Sequence, residues 1–220
     1  VVAIVRDATA YQELEARPEV ELRVDTGAAA ELVLDQTPFY AERGGQVGDT
    51  GQIRDAATDE LLFTVDDTQR PVGGLIVHRG TLHGRIAVGQ AVRAVVDAER
   101  RAHTMRNHTA THLLHRAVRN AVGPSARQAG SLVAPGYLRF DFPFDRALTE
   151  AERRQIQDEV RGIVRDDLPV TARVMTMQEA VDGGADAFFD EHYGEQVRTI
   201  RVQGYDSFER TRQPPRVSVC

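Results

Sequence analysis

From Ala98 to Val122 the chain contains neither glycine nor proline. Met105, Leu113, Ala117 and Val118 recur through that stretch at roughly helical spacing, which predicts one long helix. Gly123-Pro124 follows at once, glycine just past the end and proline behind it, the pair that terminates a helix. Upstream the pattern is different. ELRVD (21–25), AELVLD (30–35), LLFTVDD (61–67), LIVHRG (75–80) and AVRAVVD (91–97) read as strands, punctuated by Gly44-Gly45, Gly48, Gly51, Gly73-Gly74, Gly80, Gly84 and Gly89. Many short strands with glycine turns predict a small β-barrel or sandwich. Downstream, LRFDF (138–142) alternates as a strand. Leu148–Val164 reads as a helix with Thr149 and Glu152 at capping-box spacing and a buried stripe of Ile156, Val160, Ile163 and Val164. VTARVMT (170–176) and VRTIRVQ (197–203) read as strands around a short helix at 177–184. The expected class is α+β, with a β domain over 1–97 and a two-layer α+β domain over 98–220.

Composition narrows the function classes. A single cysteine, Cys220, rules out an internal disulfide and a cysteine-only zinc site. The net charge of −6 argues against indiscriminate nucleic-acid binding through bulk charge. The first hundred residues are the acidic part, so they are not expected to form the main phosphate-facing surface. No apolar run is long enough for a membrane span. The opening VVAIV is broken at once by Arg6 and Asp7, so a cytoplasmic location is expected. The start without Met suggests a trimmed or excised piece.

Four of the seven histidines, His103, His108, His112 and His115, crowd the long helix. In NHTATHLLH (107–115), His108 and His112 stand four apart and so project from one helix face, a spacing that suits two imidazoles on one divalent ion. The same spacing also describes an ordinary polar face. Ala110 leaves no glutamate to make this the HExxH of zinc proteases. Thr109 and Thr111 flank the pair as hydroxyl donors. TPFYAERGGQVGDTG (37–51) is either a plain glycine loop or a loop whose backbone approaches a ligand closely. RQAGS (127–131) places Gln128, both donor and acceptor, between helix and strand.

Together, NHTATHLLH, TPFYAERGGQVGDTG, QAGSLVAPGYLRFDF and GADAFFDEHYGEQVRTIRV resemble the alanyl-tRNA synthetase family, in the part beyond its catalytic and tRNA-recognition domains. The resemblance runs from about Val1 to Val202. It implies a small N-terminal β-barrel followed by an editing domain, like the free-standing relatives that edit mischarged tRNA. The implied activity is ester hydrolysis, removing serine or glycine wrongly attached to tRNA for alanine. The implied partner is the aminoacylated acceptor end of tRNA, with no role for DNA or membrane. By the same resemblance His108 and His112 are zinc ligands, and Gly44 and Gly45 are the glycine loop facing the substrate. Gln128 is a pocket residue, and Arg139 joins Gly44, Gly45 and Gln128 in substrate binding. Thr109, Thr111 and Gln128 are the candidates for reading a substrate hydroxyl and for catalysis.

The family's CGGTH pair of later ligands is absent. Laid on Ser207-Phe208-Glu209-Arg210, it would fall on RTRQPP, with Thr211 and Pro215 in the ligand positions. If Arg210–Pro215 is an insertion instead, Cys220 is the third zinc ligand. The first alignment implies a degenerate metal site, and with it a non-hydrolytic aminoacyl-tRNA-binding or aminoacyl-transfer protein on the same fold. The second implies a three-ligand zinc site and a deacylase. The family's activation and C-terminal domains have no counterpart in these residues, so the chain is not expected to charge tRNA.

Overall fold

The computed structural model describes residues 1–5, 21–22, 27–183, 186–187, 196–202 and 217–219. The chain divides into two compact units. One holds Val1–Asn107 with Leu132–Leu138, the other His108–Ser131 with Arg139–Cys220.

The first unit is built on β1 (Ala3–Val5), β2 (Glu21–Leu22), β3 (Ala29–Val33), β4 (Gly51–Asp55), β5 (Leu61–Gln69), β6 (Val77–Leu82), β7 (Ile86–Ala87) and β8 (Val92–Val96). Six of these form one sheet in the order β1-β3-β6-β5-β4-β8, antiparallel throughout, and β2 pairs with β7 separately. The alternation read in the sequence has its cause here. Ala30, Leu32, Ile53, Phe63, Val65, Leu82 and Ile86 turn inward into one core. Each such side chain contributes about 1.5–3 kcal/mol by leaving water. The sheet is open in strand order, with β1 and β8 at its edges among the described residues, where a closed barrel was expected. It curls nonetheless: the Val1 amino group donates to the Gln90 carbonyl and Gly89 N–H to the Val1 carbonyl. Gly80 lies at the β5–β6 crossing, where a Cβ would run into the Thr64 carbonyl.

The helix foreseen from its lack of glycine and proline is α1 (Ala98–Val122). Its start is set by Asp97, whose carboxylate accepts from Arg100 N–H at 2.9 Å, an N-cap. Its end is set by Gly123, at φ 100° with its N–H on the Arg119 carbonyl. After α1 come β9 (Gly130–Val133), β10 (Leu138–Asp141), α2 (Glu150–Arg165), β11 (Val170–Thr176), α3 (Met177–Asp182), β12 (Asp186–Ala187), β13 (Gln196–Val202) and β14 (Val217–Val219). β9 pairs with β10. The second sheet runs β11-β13-β14-β12, antiparallel except for the parallel β12–β14 pair.

In the second unit Ala117 and Val118 of α1 pack on Ile156 of α2, with Ala126, Leu114 and Phe142. Ile156 and Ile163 are buried as read, but Val164 is 62% exposed. The inward position next to Val160 goes to Glu159 instead. This buried carboxylate accepts from the Asn120 side-chain amide at 2.7 Å. The Thr149–Glu152 capping box forms in both directions. Arg146, with the Thr149 groups, holds the Glu152 carboxyl at about 2. A smaller cluster of Ala180 and Val197 with Met175 and Met177 joins α3 to β11 and β13. The chain is thus mixed α+β.

Thr149→Ala removes the side-chain half of the capping box. A loss of about 1 kcal/mol is expected, measured by urea unfolding followed by circular dichroism. Thr149→Asp, which restores a capping oxygen, is expected to recover most of it.

Candidate functional site

In the first unit the notable structure is the loop 37–51. Arg43 and Gln46 exchange backbone hydrogen bonds across Gly44 (φ 59°) and Gly45 (φ 81°). Two consecutive left-handed residues make the mirror-image tight turn that glycine adopts without a Cβ penalty. Gly45 and Val47 then bond to Val133 on both sides of its peptide: Val133 N–H donates to the Gly45 carbonyl, and Val47 N–H to the Val133 carbonyl.

The loop's base is held by two buried polar groups. His78 is 0% exposed; its Nδ1 donates to the Leu32 carbonyl at 2.9 Å, which leaves Nε2 to accept from the Thr37 hydroxyl at 2.7 Å. Phe39 meets the same ring edge-on. Burial pushes the His78 pKa down, against the raising effect of the Leu32 bond. Asp49, 5% exposed, accepts from Tyr40 N–H at 2.6 Å and is ion-paired to Arg101 of α1.

In the second unit His108, Thr111, His112 and His115 follow one another along one face of α1. The His108 and His112 rings stack, centroids 5.1 Å apart and planes within 16°. Thr111 is buried and Thr109 half-buried. His115, 3% exposed, packs on Phe140 of β10 at 4.8 Å between centroids. Gln128 donates to the Ser131 hydroxyl at 3.0 Å, and exposed Arg139 pairs with Asp141 at 2.9 Å.

Two adjacent imidazoles supply a donor set that fits two positions of a zinc site. Each lone pair lies in its ring plane, so near-parallel rings meet one ion only after one ring turns. Among the described residues no group of three or more His, Cys, Asp or Glu side chains converges to hold a metal. Cys220, the expected third ligand, lies outside the described residues.

The family of class II (A) tRNA synthetases matches residues 5–100. Alanine–tRNA ligase of Fervidobacterium nodosum is 49% identical over 175 residues, 80% of this chain and 20% of the ligase. That of Chloroflexus aurantiacus is 48% identical over 180 residues, 81% of this chain and 20% of the ligase. That of Sorangium cellulosum is 46% identical over 205 residues, 92% of this chain and 22% of the ligase. The chain is an alanyl-tRNA synthetase-related domain. It spans about a fifth of the length of the curated relatives it matches. Among its described residues no helix is long and apolar enough to cross a membrane.

Within this synthetase-related chain, Gly44 and Gly45 form a turn of the first unit, while His108, Thr109, Thr111, His112, Gln128 and Arg139 belong to the second. Two further groups carry no signal in sequence. Asp49 and Arg101 are 52 positions apart, and charge alone gives no reason to pair them. Asn107 looks like the first letter of the histidine motif but donates to the Ala134 and Pro135 carbonyls at 2.7 and 3.3 Å. His115, three residues past His112 and nearly on the same face, reads in sequence as a crowded third ligand, and the structure buries it against Phe140.

Gly44 has open space where a Cβ would stand, whereas at Gly48 a Cβ would strike the Thr68 carbonyl. Gly44→Ala is therefore expected to cost only the left-handed backbone penalty, about 1–2 kcal/mol, and Gly48→Ala clearly more, read by thermal unfolding. An equal cost would contradict the steric assignment. His78 gives a pH dependence. Its neutral form is favoured by folding, so the stability it contributes is full above the ordinary histidine value of 6.5 and declines as pH falls below it. Unfolding midpoints taken from about pH 7.5 down to 5 are expected to fall more steeply for the native chain than for His78→Gln.

Proposed function

We propose that the chain is an editing deacylase. It hydrolyses the ester of serine or glycine wrongly attached to tRNA for alanine. The observation that carries this reading is its kinship to alanine–tRNA ligases across four fifths or more of its length, in a segment carrying two imidazoles one helical turn apart. In this reading the curled sheet of the first unit takes the place of the family's small barrel. The acceptor end of tRNA is the partner, and the place of action is the cytoplasm.

The chemistry asks little of the protein, because an aminoacyl ester is already activated. Water adds to the ester carbonyl, the bond to the ribose oxygen breaks, the amino acid leaves as the free acid and the ribose oxygen takes a proton. Catalysis is then mostly positioning and oxyanion stabilisation. His108 and His112 would hold a zinc ion, with Cys220 as the third ligand. Bound there, zinc supplies Lewis acidity for the carbonyl or its attacking water. Thr109, Thr111 and Gln128 read the serine hydroxyl. A pocket whose polar groups pair with that hydroxyl leaves them unpaired over alanine, which sets the discrimination. Arg139 supplies positive charge for the acceptor-end phosphates. The Gly44-Gly45 backbone, lacking side chains, permits close approach of the adenosine.

One observation favours a second reading, binding or aminoacyl transfer without hydrolysis: the family's CGGTH is missing from this sequence. The two separate cleanly. For the deacylase, the native chain holds about one zinc per molecule, and His108→Ala with His112→Ala releases the metal and lowers serine release from Ser-tRNA by roughly 100-fold or more. Unchanged turnover in the double variant would overturn the deacylase reading. Tight binding of Ser-tRNA without zinc or hydrolysis would establish the alternative.

A further inference from the structure

Helix α1 holds the glycine loop at both of its ends. At the base, one Arg101 terminal nitrogen donates to the Pro38 carbonyl at 2.7 Å and pairs with the Asp49 carboxylate. The same carboxylate accepts from Tyr40 N–H, while Asp49 N–H returns to the Tyr40 carbonyl at 2.9 Å. The base is thus cross-tied. At the tip the connection is indirect. The Asn107 amide donates to the Ala134 and Pro135 carbonyls, and the preceding residue, Val133, bonds Gly45 and Val47 through its backbone. Arg101 and Asn107 are six residues apart, about 9 Å along a helix axis. All of these groups lie in the first unit.

These contacts hold the loop in one shape. Gly44 is exposed and nothing stands within 4 Å of its absent Cβ. No described side chain fills the space beside it, so the holding contacts stabilise a turn that presents bare backbone.

We propose that Arg101 and Asn107 are positioning residues, holding the Gly44-Gly45 backbone in the shape that receives the aminoacyl-adenosine end of the substrate. This rests on the deacylase reading. Neither residue touches the reacting bond; both act through the loop.

The test uses the full chain with Arg101→Gln, Arg101→Lys, Asp49→Asn and Asn107→Ala. Asp49→Asn keeps an acceptor for Tyr40 N–H and guards against simple misfolding. Three quantities are read: amide exchange at residues 40–48, KM and kcat on Ser-tRNA, and the Kd for a non-hydrolysable 3′-serylamido adenosine. For Arg101→Gln, Asp49→Asn and Asn107→Ala, the expected result is exchange at least tenfold faster in the loop alone. KM and Kd rise roughly tenfold with kcat within about twofold, a small displacement at a binding surface. Arg101→Lys, which keeps the cation, is expected to restore most of both. Loop exchange unchanged in these variants overturns the proposal, as does faster exchange with unaltered KM and Kd, since the contacts are then only structural. A native chain that binds the amide and is inactive on Ser-tRNA overturns the deacylase reading instead, and exchange with Kd then decides this one.

Discussion

The structure depends on one uninterrupted helix. α1 begins where Asp97 caps it and ends where Gly123 turns left-handed, and its residues serve two sets of neighbours. In the first unit its opening turns provide Arg101 and Asn107, both spent on backbone carbonyls of other segments. In the second its closing turns provide the apolar Ala117 and Val118 for the core and the polar His108, Thr111, His112 and His115 for a face. A glycine or proline in this stretch would cost about 1 to 3 kcal/mol, so the absence of both residues is a condition of the helix.

Buried polar groups organise what the helix carries. Asp49, His78, Glu159 and Thr68 are all inside, and each has a named partner: Arg101, Leu32 with Thr37, Asn120, and the Asp49 carbonyl. Leaving any of them unmet costs more than the bond itself contributes. Such groups therefore fix position more than they add stability. The loop 37–51 illustrates this. Its apolar contribution is essentially Phe39, while its conformation is set by bonds to His78, Asp49 and Val133.

Much of the fold was legible because its signals are local. α1 and β11 match their sequence readings to the residue, and Thr149 caps α2 through the box its spacing announced. Local signals fail where partners are distant. Strand alternation tells which side chains face inward but not whether the sheet closes, and the described strands leave β1 and β8 as edges. Val164 sat on an apolar stripe by spacing yet faces water, because the helix has rotated Glu159 inward toward Asn120. The histidine pair was legible from its four-residue interval. The Asp49–Arg101 and Asn107–Ala134 ties were not, since hydrogen bonds between distant segments leave no periodic trace. Kinship to the alanine–tRNA ligases supplies the family, which periodicity alone does not give.

The central claim is that this chain discriminates at the acyl group and cleaves the wrong ester. Its most direct test is single-turnover hydrolysis of Ser-tRNA and Ala-tRNA, both built on tRNA for alanine, by the chain in excess. The account expects the seryl ester to be released at least roughly tenfold faster than the alanyl ester, as a pocket that pairs with a hydroxyl requires. Equal rates for the two esters, or none above the spontaneous rate, would contradict it.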